Sequence, residues 1–65
     1  MKNKCVTSNI MKKAKILSLP DTPIGMVLYS WSPPGWLEIT YYTVRAPNGY
    51  LMDEVLPEEL EFIKE

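Results

Sequence analysis

Trp36-Leu-Glu-Ile-Thr-Tyr-Tyr-Thr-Val-Arg45 is the longest uninterrupted run within residues 24–56, and the expected architecture is centred on it. Ser32-Pro-Pro-Gly35 precedes it and Ala46-Pro-Asn-Gly49 follows it. Leu37, Ile39 and Tyr41 alternate with Glu38, Thr40 and Tyr42, the period of a half-buried strand, and the first set is expected to face inward. A strand this long exceeds the usual five or six residues, so a bend or bulge is expected in it.

The six prolines and three glycines fall at four junctions and leave the runs between them intact. Those runs are rich in Ile, Val, Leu, Tyr, Trp and Thr, which is strand composition punctuated by turns. Pro33-Pro34-Gly35-Trp36 fits a type II turn with positive φ at Gly35. Ser32, lying before a proline, is held extended. Around Asn48-Gly49 two arrangements fit: a type I′ hairpin, or Pro47-Asn48 inside a type I turn with Gly49 as a bulge. Further strands are expected at residues 14–19, 26–31 and 50–56. Pro57-Glu58-Glu59-Leu60 reads as a 3₁₀ turn followed by a short fifth strand at 61–63, placed there to cover the edge of the fourth. The helical spacing of Leu56, Leu60 and Ile63 offers a short helix as the alternative.

Residues 1–11 show no clear period and are expected to be loose, giving a flexible basic arm at 1–12 and one domain at 13–65. Met11 followed by Lys12 and Lys13 would make a plausible translation start, which makes residues 1–10 a candidate upstream extension. The expected fold is therefore all-β: a small five-stranded barrel with a 3₁₀ turn near its C-terminus.

That order of elements resembles the SH3-like barrels. The residues carrying the resemblance are Ile24-Gly-Met-Val27, Gly35-Trp36 and Gly49-Tyr-Leu-Met-Asp-Glu-Val-Leu56, the last similar to the segment that closes many SH3 domains. The ending Pro57-Glu-Glu-Leu-Glu-Phe-Ile63 also looks like that of small bacterial members of the superfamily. The likeness stops at the ligand groove. Met52 stands where the groove proline is expected and Val55 where its tyrosine would be, so proline-peptide binding does not carry over. Since members of this superfamily serve many roles, the layout implies a fold and leaves the function open.

Sixty-five residues make one domain with a thin core, because a chain this short buries only about 60% of the surface its unfolded form exposes. One cysteine, Cys5, makes no internal disulfide, and without histidine a structural zinc site is not credible. The same absence removes the imidazole base of Ser-His-Asp and Cys-His catalysis. Asp53-Glu54, as neighbours on a strand, point to opposite faces and do not readily share an ion. The three isolated glycines do not make a phosphate loop. A non-enzyme without cofactor or metal is expected. The N-terminus lacks the apolar core of a secretory signal and no run is long enough to span a bilayer, so the expected setting is cytoplasmic, away from membranes.

Net charge is −1, but Lys2, Lys4, Lys12, Lys13 and Lys15 put +5 on the first fifteen residues and leave −6 on the rest. Such polarity lets the two ends pair within or between molecules. The aromatic residues give the working hypothesis. Trp31, Trp36 and Tyr42, rimmed by Pro33 and Pro34 and extended by Tyr50, are candidates for a surface patch, since aromatic side chains anchor interfaces at low entropic cost. The equally weighted structural reading is that the tryptophans cover the open end of a thin core. The expected role is a protein–protein interaction or accessory module, self-associating or docking on an unidentified protein. The alternative is a nucleic-acid-associated barrel whose five N-terminal lysines contact phosphates.

Overall fold

A computed structural model describes residues 4–64. Five strands are present, β1 (Cys5–Ile16), β2 (Ile24–Ser32), β3 (Tyr41–Arg45), β4 (Leu51–Val55) and β5 (Leu60–Phe62), with a 3₁₀ turn at Pro57–Glu59. They form one antiparallel sheet in the order β4-β3-β2-β1-β5, curled into a half-barrel. The sheet keeps two edges: the fifth strand pairs with β1 and leaves β4, which it was expected to cover, as one of them. No helix among the described residues is long and apolar enough to cross a membrane.

Displaced registers explain the curl. Between β2 and β3 the register shifts at Leu28, between β1 and β2 at Thr7 and again at Ile10–Met11, and between β3 and β4 at Asp53–Glu54. An extra residue on one strand bends it and advances its side-chain phase by one. Val27 therefore pairs with Val44 on the inner face, while Tyr29, only two residues on, pairs with Thr43 on the outer face. The inner face carries the core: Ala14, Ile16, Val27, Val44, Ala46, Val55 and Leu60, with Ile10, Leu19, Tyr42 and Met52 packed against it. Most of these are small or β-branched, as a single thin layer requires.

Two sequence expectations are corrected. Cys5–Met11, expected in the flexible arm, pairs with β2 as the first half of the longest strand; residues 1–3 of that arm lie outside the described residues. The two register shifts within this half reset its alternation, which is why no period is legible there. In compensation the strand ends at Ile16, and Leu17–Leu19 enter a turn closed by the Leu19 N–H donating to Ile16 O at 3.3 Å.

The second correction concerns the opening run, of which only Tyr41–Arg45 is strand. Trp31 pairs with Tyr41, so residues 38 and 39 would next face Pro34 and Pro33. Prolines have no N–H to donate, and the ladder stops there despite the β propensity of Leu37, Ile39 and Thr40. The face assignment changes too: Tyr42 packs on the core and Tyr41 lies on the outer face with Trp31.

The turns follow expectation. The Trp36 N–H donates to Pro33 O at 3.0 Å with Gly35 at φ 84°, a type II arrangement. At the other hairpin the Gly49 N–H donates to Ala46 O at 2.9 Å and Gly49 has φ 92°, which selects the type I turn with a glycine bulge. The C-terminal segment is the 3₁₀ turn plus strand, one residue earlier than expected, and not a helix.

Candidate interaction surface

The register shift in β4 sets up a cluster on the outer face. Asp53 and Glu54 together oppose Thr43, which takes the Asp53 carbonyl out of the regular ladder and turns it toward β2. There the Trp31 Nε1–H donates to it at 2.8 Å. Thr43 Oγ1 donates to Asp53 Oδ1 at 3.3 Å, and Lys4 Nζ donates to the same oxygen at 2.8 Å and to Tyr29 Oη at 3.3 Å. The Lys4 ammonium stands 4.9 Å from the Trp31 ring centroid and 5.5 Å from that of Tyr29, within cation–π range. Tyr41 covers Trp31 from the β3 side with centroids 5.1 Å apart. Trp31 is consequently only 5% exposed, although it belongs to no part of the inner core.

Electrostatics follow from these contacts. Lys4 holds its proton above the ordinary lysine range, chiefly because it donates to Asp53, with burial opposing. Tyr29 ionises below the ordinary tyrosine range, first through its hydrogen bond with Thr43 and then through the Lys4 cation. The cluster satisfies itself.

Trp36 behaves differently. It sits where two consecutive turns meet: its N–H donates to Pro33 O, and its carbonyl accepts from the Ile39 N–H at 3.0 Å. Ser32 Oγ donates to Leu37 O at 3.5 Å, tying the loop back to the end of β2. With Pro33 and Pro34 fixing φ on one side, the loop presents Trp36 and Leu37 side by side, 58% and 66% exposed. Two adjacent large apolar side chains are thus held out in water on an ordered loop.

The structure divides the remaining candidate residues. Pro34 is exposed and Pro33 half-buried on the same loop as Trp36. Tyr42 lies on the inner face, edge-on to Phe62 with centroids 5.9 Å apart. Tyr50 is exposed, but it flanks the β3–β4 turn at the Arg45 end of β3. That places it a five-residue strand, roughly 13 Å, from the Tyr41 end beside the Trp36 loop. Of the six patch candidates, then, Trp36, Pro33 and Pro34 come together and the other three do not.

The lysines are also divided. Lys2 lies outside the described residues, and Lys4 is engaged with Asp53. Lys15 pairs across strands with Glu61, while Lys12 and Lys13, as neighbours on β1, project to opposite faces. Cys5 is exposed at the start of β1.

Sequence reasoning missed Leu37, which it placed inside, and Asp53, which it treated only as an acid. The signal for Leu37 was present, since paired prolines upstream of a strand deny it a ladder partner. The role of Asp53 depends on a bulge that the sequence does not mark.

The fold and this surface define a small antiparallel β half-barrel with an exposed apolar loop built on two turns. Neither family models, nor curated protein sequences, nor solved structures match the chain.

Proposed function

We propose that this chain is a non-catalytic protein–protein interaction or accessory module of the SH3-like kind, and that Trp36 and Leu37 form its contact surface. One observation carries the reading: two neighbouring large apolar side chains are exposed on a loop already ordered by two turns and two prolines. Exposing them costs hydrophobic free energy, about 25 cal/mol for each Å² that a partner would cover. Presenting them on an ordered loop lowers the entropy lost on binding. Trp is also the residue type most enriched among interface hot spots.

The SH3-like assignment is supported by the strand order, the tight β3–β4 hairpin and the 3₁₀ turn before the last strand. The partner is another protein or a second copy of this chain. Placing a photo-crosslinking benzoylphenylalanine at position 37 tests the reading, with position 50 as an equally exposed control. A discrete adduct from 37 and none from 50 is the expected result. Adducts from neither, or equal adducts from both, would refute the assignment of the loop.

A further inference from the structure

β5 is three residues long and β1 is twelve, so β5 pairs with β1 only at residues 14–16, supplemented by the Ile63 N–H donating to Lys13 O at 3.1 Å. Beyond Lys13, residues 5–12 of β1 are paired with β2 on one side and with no strand on the other, among the described residues. An open groove runs along this edge. Met11, Phe62 and Ile63 line it together with Lys12, Lys13 and Lys64, and no Asp or Glu does so among the described residues. Met11 and Phe62 are 62% and 41% exposed.

We infer that this edge of β1 receives an extended segment of a partner protein that adds a strand antiparallel to β1, in line with β5, and that carries acidic and apolar side chains on both of its faces. The inference rests on the reading of the chain as an interaction module and adds a surface distinct from the Trp36 loop. Backbone groups along an open edge supply affinity in strand addition, and the flanking side chains supply the choice of partner. Because Lys12 and Lys13 project to opposite faces of β1, acidic side chains are needed on both faces of the added strand, beside apolar ones that meet Met11, Phe62 and Ile63. A second copy offering the same edge is disfavoured, because the lysines of both chains would converge; lysines on an edge are a common device against such self-pairing. A polyanion such as a nucleic acid matches the charge but leaves the apolar lining and the strand edge unused.

The test uses the full chain and fluorescein-labelled peptides of alternating Val-Val and Glu-Glu pairs, read by anisotropy. Two further peptides carry N-methyl groups on alternate residues in opposite phases, so that only one phase blocks the amides facing β1. The parent peptide is expected to bind. One methylated phase should bind like it and the other at least about tenfold more weakly, as should the parent with a Lys12→Glu/Lys13→Glu chain. A peptide with Lys in place of Glu should not bind. Equal binding of both methylated phases, indifference to charge, or tighter binding of oligo(dT) would overturn the inference. So would dimerisation through this edge, seen by light scattering and abolished by the double charge reversal. Binding should survive Trp36→Ser/Leu37→Ser. Loss of binding in that variant would tie the peptide to the loop and overturn the edge, whereas failure at the edge alone leaves the loop reading standing.

Discussion

The indole of Trp31 donates to the backbone carbonyl of Asp53 at 2.8 Å, joining β2 to β4 across the outer face of β3. The contact exists because the register shift at Asp53–Glu54 turns that carbonyl away from the ladder. A buried tryptophan outside the core is thereby given a structural task, and the outer face of the sheet becomes a second, smaller packing layer.

Trp31→Phe keeps an aromatic side chain but deletes the donor and the five-membered half of the indole. It is expected to cost at least about 1–2 kcal/mol, the net worth of a buried hydrogen bond with its acceptor deprived of that donor, with the lost packing added to it. Trp36→Phe, on the exposed loop, should stay within about 0.5 kcal/mol of the parent. Urea denaturation of both variants checks this, and equal losses would contradict the division of roles.

Lys4 gives a pH prediction. Its proton affinity is raised in the folded chain, so its contribution is complete below the unfolded value of 10.5 and is lost as pH rises through the higher folded value. Tyr29, lowered from 10.0, works in the opposite sense: its contribution is present above the unfolded value and is lost as pH falls through the folded one. Through neutral pH the ion pair with Asp53 is therefore intact. Asp53 is half-exposed, at 56%, so Lys4→Met should cost only about 1 kcal/mol there, with ion pair and cation–π contact together. The difference from the parent should vanish at strongly alkaline pH. A tyrosine titration followed in the ultraviolet should show one of the four tyrosines ionising early, and later in Lys4→Met.

How much was legible beforehand depended on whether ladders stayed in register. The two glycine turns, the 3₁₀ turn at Pro57–Glu59 and the second strand were readable because proline and glycine mark backbone geometry locally. The strand at Cys5–Ile16 was hidden because its register shifts scramble alternation, a property of the pairing and not of the residues. The opening run was misread for a related reason: propensity belongs to Leu37 and Ile39, but the missing donors belong to Pro33 and Pro34 on the strand they would have joined. For the surface, Trp36 with its two prolines was legible from composition. The burial of Trp31 was not, since it depends on Lys4 and Asp53, far apart in sequence.

A chain beginning at Met11 tests the first half of β1. It lacks Lys4 and the pairs of Cys5 with Ser32, Val6 with Trp31, Ser8 with Ser30 and Asn9 with Tyr29. Trp31 should then open to water, with a red-shifted emission, and the urea midpoint should fall. An unchanged midpoint would mean that these pairs contribute nothing to the fold.

The core is thin enough for one side chain to matter. Ile16 is fully buried, and Ile16→Ala should cost about 2–5 kcal/mol. Against a total near the ~5 kcal/mol lower end for small domains, that leaves a chain largely unfolded at 37 °C by circular dichroism.

The exposed pair Trp36 and Leu37 as a protein contact is tested most directly by quantitative capture. The wild-type chain, Trp36→Ser/Leu37→Ser and a Glu38→Gln control are immobilised at equal density and exposed to the same source lysate and to labelled wild-type chain. Circular dichroism establishes that all three are equally folded. At least one protein, or the chain itself, is expected to be held by the wild type and the control and reduced at least about tenfold on the double variant, the loss that follows when an interface anchor is removed. Identical capture by all three would contradict it.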